Sequence, residues 1–329
     1  MPMYGWLLDD SSDSYRWGEV ATPVPGPGEV RIEVRASALN HIDLWLTRGM
    51  PRPRSFPHVA GSDVAGVIDA VGEGVTDWSL GDEVVMEAAV TSHRAILDLG
   101  IDNVIDPGMH LLGEHRWGGH AERVVVPAWH PVPKPANRSW AECAAYPVCH
   151  VTAWRMMRKG RVGPGTKVLV VGVGGGVAVA ALIIGRYLGA EVFVTSRDAA
   201  KRARALELGA ADAFDSAGPY PVKVDVVIDS VGAATWEPAI RALANGGRYV
   251  TCGATAGIEV PLLLPRLFFK HHEIIGVTTG SHMEFVEVTK RIEGGLDVLI
   301  DEEFPIDAYP DALAKLSKGD QLGKLVMVH

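Results

Sequence analysis

Cysteine is scarce in this chain: Cys143, Cys149 and Cys252 are the three among 329 residues. Their spacing forms neither a metal-ligand set nor a disulfide framework. No apolar signal region follows Met1, and together these features set the expectation of a reducing cytoplasm. Positive charge is also short. Lys and Arg number 31 against 40 Asp and Glu, a net charge of −9. That balance argues against nucleic acid or an anionic membrane as the partner and leaves a small molecule as the expected one. Repeats and low-complexity segments are absent. Apolar side chains are plentiful at 47%. They are enough for a large core, and the length suits two domains.

Val168–Gly185 lacks charge altogether, which is the bare length of a membrane span. Its glycines, four of them clustered at Gly172, Gly174, Gly175 and Gly176, and the charges close on either side favour a buried strand, turn and helix instead. Val168–Val171 suits a strand covered on both faces. The glycines permit a tight turn, and Val177–Leu188 reads as a helix whose first amides have no internal partner. Such a unit attracts a pyrophosphate, because free N–H groups and the helix dipole both favour an anion. Counted strictly from Gly172, the third glycine of a dinucleotide fingerprint falls on Val177. With one residue inserted it falls on Ala178. No Gly-Lys-Ser/Thr follows, so a triphosphate-binding P-loop is excluded.

The next strand, Glu191–Thr195, lacks an acidic residue at its end, where the ribose 2′-hydroxyl of NAD would be bound. Ser196 and Arg197 stand there, with Lys201 and Arg202 a turn later. This set suits a 2′-phosphate, and so NADP(H). A solvated helix start is the plain alternative, and Asp198 is a candidate displaced acid.

Elsewhere, Val30–Arg35 alternates apolar and charged side chains, the pattern of a strand with one wet face. Short strands with glycine turns before residue 127 point to an antiparallel, barrel-like domain. Thr91–Gly113 is an excursion of mixed polarity, and Trp140–Lys159 reads as one or two helices around Pro147. From Lys167 strands alternate with helices. Asp225–Asp229, Arg248–Cys252 and Glu273–Val277 are the later strands, and Gly232 and Gly253 follow two of them at carboxyl ends. A helix over Met283–Ile292 leads to a strand pair ending at Val328.

Taken in order, Gly28-Glu29-Val30, Asn40-x-x-Asp43, Gly61-x-Asp63-x-x-Gly66, Gly81-Asp82-Glu83-Val84, Gly119-x-Ala121-Glu122, the glycine turn, Gly189-Ala190, Leu208-Gly209-Ala210 and Gly323-Lys324 run nearly the whole chain. The chain thereby resembles the medium-chain dehydrogenase/reductase superfamily, in its alcohol dehydrogenase-like and quinone oxidoreductase branch. The resemblance implies an α/β protein: a GroES-like β-barrel domain over 1–127 and 264–329, and a Rossmann doubly wound parallel sheet over 128–263. It implies NADP(H) held by Gly172, Gly174, Gly175, Gly176, Val177, Ser196, Arg197, Lys201, Gly232, Gly253 and Lys324. A homodimer joined at Glu273–Val277 is expected as well, partly from an apolar edge strand left open.

The departures from the family pattern are chemical. Zinc enzymes of the family have Cys where this chain has Asn40, Gly-His-Glu where it has Gly61-Ser62-Asp63, and a further Cys where it has Val148. The family's four structural-zinc cysteines fall on Ser92, Ala95, Asp98 and Asp106. No zinc is therefore expected, and a carbonyl loses its strongest electrophilic support. The expected reaction is hydride transfer from NADPH to a quinone or an α,β-unsaturated carbonyl. By resemblance Asn40 is a hydrogen-bond donor to the substrate oxygen. His41 is a pyrophosphate contact, a proton relay or a surface side chain, and Asp43 supports the loop within the catalytic group. Trp45, Trp117 and Tyr146 line an apolar pocket or simply pack. An alcohol dehydrogenase with metal recruited at Asp63, His150 or His41, and a non-catalytic NADPH-binding protein, stay open.

Overall fold

The computed structural model describes residues 2–10 and 12–329. The chain divides into two compact units: residues up to Val148 together with Ser281–His329, and Cys149–Gly280. Both expected junctions move. The segment 128–148 stays with the first unit because the strand Pro131–Pro133 pairs with Glu83–Met86 and the helix Trp140–Ala145 packs on that unit's strands. The segment 264–280 stays with the second because Glu273–Gly276 pairs with Leu243–Thr251 and extends its sheet.

That sheet is parallel throughout. Edge to edge its six strands are Asp212–Phe214, Glu191–Thr195, Lys167–Val171, Val224–Asp229, Leu243–Thr251 and Glu273–Gly276. In chain order this is 3-2-1-4-5-6, the doubly wound order whose reversal point lies beside the first strand. Val168, Leu169, Val170 and Val171 are fully buried, as the uninterrupted aliphatic run requires of a strand covered on both faces. One face carries Trp236, Ile240 and Tyr249 of a core cluster. The helices Cys149–Lys159 and Gly176–Tyr187 pack on each other.

In the first unit, a sheet runs Pro131–Pro133, Glu83–Met86, Asp63–Val71, Glu29–Ala38, Lys324–Val328 and Ile300–Pro305, with Arg123–Pro127 also on Glu29–Ala38. The alternation seen over Val30–Arg35 is real. Val30, Ile32 and Val34 are buried, while Arg31 and Arg123 both donate to the Asp69 carboxylate on the other face, at 2.7 and 2.8 Å. The last two strands are parallel, so they need a crossover. A helix over Tyr309–Lys318, within the stretch that the sequence presents as a strand pair, supplies it, entered with Pro310 and ended at Gly319 with φ +72°. No helix among the described residues is long and apolar enough to cross a membrane.

Candidate active site

The expected site residues fall into two groups, one in each unit. The first is the glycine turn. Gly172 has φ +74° and Gly174 has φ +148°, values that favour glycine. The turn is tied to the neighbouring strand end, where Gly172 N donates to Thr195 Oγ1 at 3.0 Å and Val173 N donates to Thr195 O at 2.7 Å. The helix begins at Gly176, with Gly175 as N-cap and no side chain capping its amides. Gly175 is informative because its φ of −71° suits any residue and a Cβ there would meet no heavy atom within 4 Å. Neither backbone nor packing asks for glycine at that point. The missing side chain leaves room for a group approaching the helix N-terminus, which fits a dinucleotide pyrophosphate. Ala178 is buried and Val177 is half-buried, so the count with one inserted residue marks the helix–strand packing position.

At the end of Glu191–Thr195, Ser196 is buried and Arg197 exposed. Asp198, the candidate displaced acid, is engaged with the helix that follows. Its Oδ1 caps the helix Ala199–Glu207, accepting from Ala200 N at 2.7 Å and Lys201 N at 3.3 Å. Arg202 is turned back to Ser196 O and Asp215. Arg197 makes no hydrogen bond or ion pair among the described residues, which leaves its guanidinium available. Gly232 and Gly253 have reasons internal to the protein: a Cβ would lie 2.5 Å from Gly257 O in the first case and 2.8 Å from Ser230 O in the second.

The second group is a buried polar network around Asn40. Asn40 caps the helix His41–Leu46, and Asp43 closes the cap by accepting from Asn40 N at 2.8 Å. The Asn40 amide nitrogen donates to Asp63 Oδ2 at 2.9 Å and lies 3.4 Å from Ala38 O. Lys324 Nζ donates to Leu39 O at 2.7 Å, to Asn40 Oδ1 at 2.8 Å and to Asp63 Oδ2 at 2.8 Å. Val148 N donates to Asp63 Oδ1 at 2.7 Å. Asp63 is wholly buried and Lys324 is 3% exposed. An ammonium has three donors, so the protein takes all those of Lys324. The expectation that Lys324 binds cofactor gives way to a positioning role: it orients the Asn40 amide and neutralises Asp63.

Beneath this network Asp43 belongs to the framework rather than to the reacting groups. It is fully buried, its Oδ2 lies 3.4 Å from His120 Nε2, and its carbonyl accepts from the Tyr15 hydroxyl at 2.8 Å. His41 opens the helix, half-buried. Burial first, then the nearby Lys324 ammonium, hold its pKa below the ordinary value, with Asp43 opposing, so the imidazole is neutral at physiological pH. Tyr146 is a core residue that donates to or accepts from Thr289 Oγ1 at 2.8 Å, and Trp117, half-buried against a core cluster, donates to Pro57 O at 3.0 Å. Trp45 packs against a buried cluster with Ile42 and Leu46.

Where the family's structural-zinc cysteines would fall, Ser92 accepts from Ala95 N as a helix cap, Ala95 is buried, and Asp98 pairs with Arg94. Asp63 is a motif residue whose partners the sequence does not reveal. Gly323-Lys324 was visible as a motif, but not its contact.

Comparisons with known proteins agree on kinship. A model of the alcohol dehydrogenase GroES-like domain matches residues 26–136, and one of the zinc-binding dehydrogenase family matches residues 176–294. A zinc-type alcohol dehydrogenase-like protein of Schizosaccharomyces pombe is 32% identical over 322 residues, 92% of this chain and 91% of its own length. The quinone oxidoreductase of Homo sapiens is 26% identical over 332 residues, 94% of this chain and 92% of its own. The crystal structure of an NAD-dependent alcohol dehydrogenase matches with TM-score 0.93 at 35% identity, covering 99% of this chain and 100% of the other.

Proposed function

Because the chain belongs to the medium-chain dehydrogenase/reductase superfamily of oxidoreductases, we propose that it reduces a quinone or an α,β-unsaturated carbonyl with NADPH, and does so without zinc at the family's catalytic position. The observation that carries this reading is the Lys324 ammonium, 2.8 Å from both Asn40 and Asp63. Asn40, Ser62 and Val148 offer no thiolate or imidazole to borderline-soft zinc. The carboxylate that remains, Asp63, is already matched by a fixed cation, so a dication beside it meets like charge. These residues do not fit a zinc ion.

Bound NADPH would supply the hydride; the chain's own residues bind and orient. The turn Gly172–Gly176 fits the pyrophosphate, and Ser196 with the uncommitted Arg197 fits a 2′-phosphate. Asn40, its amide fixed by Lys324 and Asp63, presents a hydrogen-bond donor to an acceptor oxygen. Such support suffices where negative charge spreads over a conjugated system. The relationship to the human quinone oxidoreductase supports this substrate class. The zinc-type names among the relatives favour alcohol oxidation as the second reading. One panel separates the two: NADPH oxidation by enones and quinones, against alcohol oxidation by NAD+ or NADP+, each before and after chelator treatment. Alcohol turnover that disappears with the metal, without any enone or quinone turnover, would refute the proposal.

NADPH is expected to bind more tightly than NADH. Charge-assisted hydrogen bonds contribute about 1.5–3 kcal/mol each. Arg197→Asp should therefore weaken NADPH binding by about 10–100-fold and leave NADH nearly unchanged, read by fluorescence titration. Equal affinity of the unaltered protein for both cofactors would defeat this assignment.

A second copy of the chain is the expected partner. Glu273–Gly276 is the free edge of the parallel sheet, with Ile274 40% exposed. Leu263, Leu264, Phe268 and Phe269 are exposed apolar side chains just before it in the chain. Two-fold pairing would satisfy the edge and cover apolar surface. Light scattering at micromolar concentration should report a dimer, and Ile274→Lys a monomer. A monomeric mass for the unaltered protein would count against it.

A further inference from the structure

We propose that Glu87, His130 and His282 form a binding site for a divalent transition ion of the zinc class, distinct from both zinc positions of the family. Glu87 follows the strand Glu83–Met86, His130 sits in the turn before Pro131–Pro133, and His282 opens the helix His282–Glu293. Three distant segments of one unit thus converge on one point. Glu87 Oε2 lies 2.8 Å from His130 Nδ1 and 2.7 Å from His282 Nδ1. Three donor atoms, one from each side chain, all lie within 4.8 Å of one another. No other His, Cys, Asp or Glu group among the described residues clusters in this way, and Asp63, His41 and His150 belong to none.

Two further observations point to a ligand. Glu87 is 1% exposed, yet its Oε1 has no hydrogen-bond partner among the described residues. A buried carboxylate oxygen without a partner is costly, and a cation relieves that cost. The second concerns His130, which is fully buried: Thr91 N donates to its Nε2 at 3.1 Å, and Thr91 O lies 2.9 Å from the same nitrogen. With Nε2 accepting from Thr91 N, Nδ1–H donates to Glu87; with metal bound, the ring takes the other tautomer, Nε2–H donates to Thr91 O, and Nδ1 turns its lone pair to the cation. Metal-bound histidines commonly donate their other N–H to a backbone carbonyl in this way. Two imidazoles and a carboxylate are a zinc donor set. Bonds of about 2.0–2.2 Å place tetrahedral donors about 3.3–3.6 Å apart, so each contact must open by about 0.5–0.9 Å. His282, whose side chain is 21% exposed, has the freedom to do so. The competing arrangement is metal-free, with both Nδ1–H groups donating to Glu87 Oε2.

The test uses full-length protein made without a His-tag, stripped with chelator, then titrated with Co2+ and separately with Zn2+. One Co2+ per chain is expected, with the visible absorption of a low-coordinate site, displaced by one Zn2+, and with a raised melting temperature. Losing an outer partner of a ligand typically costs about 10–100-fold in metal affinity. Losing a ligand should cost about 100-fold or more, so His282→Ala and Glu87→Gln should each abolish the cobalt spectrum at micromolar metal. His282→Ala removes a partly exposed side chain, so it keeps the test open if Glu87→Gln does not fold. Absence of cobalt binding at 100-fold excess, or a cobalt spectrum unchanged in His282→Ala, would overturn the proposal.

Discussion

Lys324→Met is expected to destabilise the protein by about 3–5 kcal/mol, the usual result of removing one partner from a buried ion pair. The reason is local. The ammonium of Lys324 lies 2.8 Å from the carboxylate of Asp63, and neither side chain reaches water to any useful extent. Without it, the donors left to Asp63 among the described residues are Asn40 Nδ2 and Val148 N, both neutral. Leu39 O also loses its lysine donor. Denaturant unfolding measures the change directly. The ion-pair account makes a sharper claim about the double variant: Asp63→Asn with Lys324→Met should cost less than the sum of the two single changes, by on the order of 1–3 kcal/mol, because the second change removes the charge that the first left stranded. Strict additivity would mean that Lys324 contributes by packing its stem and not by pairing.

The dependence on Lys324 also explains what the sequence disclosed and what it withheld. Val168–Val171 and the glycines after it were readable because their physics is local: an aliphatic run, a turn that needs positive φ, and a helix start. The lysine contact is not local. It exists because Val326 pairs with Ala38 and Leu39 N donates to Leu325 O, bringing residues almost 300 positions apart side by side. No periodicity or spacing records such a register. The helix Tyr309–Lys318 is hard to read although Pro310 and Gly319 mark its ends, because the apolar residues on either side suggest a continuous strand pair. The domain junctions were misplaced for a related reason. Pro131–Pro133 and Glu273–Gly276 are short strands, and only their pairing partners decide which unit owns them. Glu87, His130 and His282 lay unremarked in three separate segments, each an ordinary polar residue until the fold gathers them.

Asn40→Ala should lower kcat for an enone or quinone by about 10²–10³, the usual effect of losing one donor aimed at developing negative charge. The network specifies what is lost. One Asn40 amide hydrogen is committed to Asp63 Oδ2 at 2.9 Å, while the other faces Ala38 O at 3.4 Å, longer than a normal N–H···O bond. That second bond is the longer of the two. Lys324, donating to Asn40 Oδ1, polarises the amide and strengthens the N–H at its other end. It also fixes which end of the amide is nitrogen. NADPH affinity should change little, because the glycine turn and Arg197 belong to the other unit, so the loss should fall on kcat and not on the cofactor's Kd. A merely structural role would instead lower the melting temperature together with activity, and both should be measured on the same preparation. Asn40→Asp gives an independent reading: it keeps the size but sets a carboxylate against Asp63 and removes the donor, so it should be at least as inactive as the alanine variant. Full activity in Asn40→Ala would take Asn40 out of the mechanism.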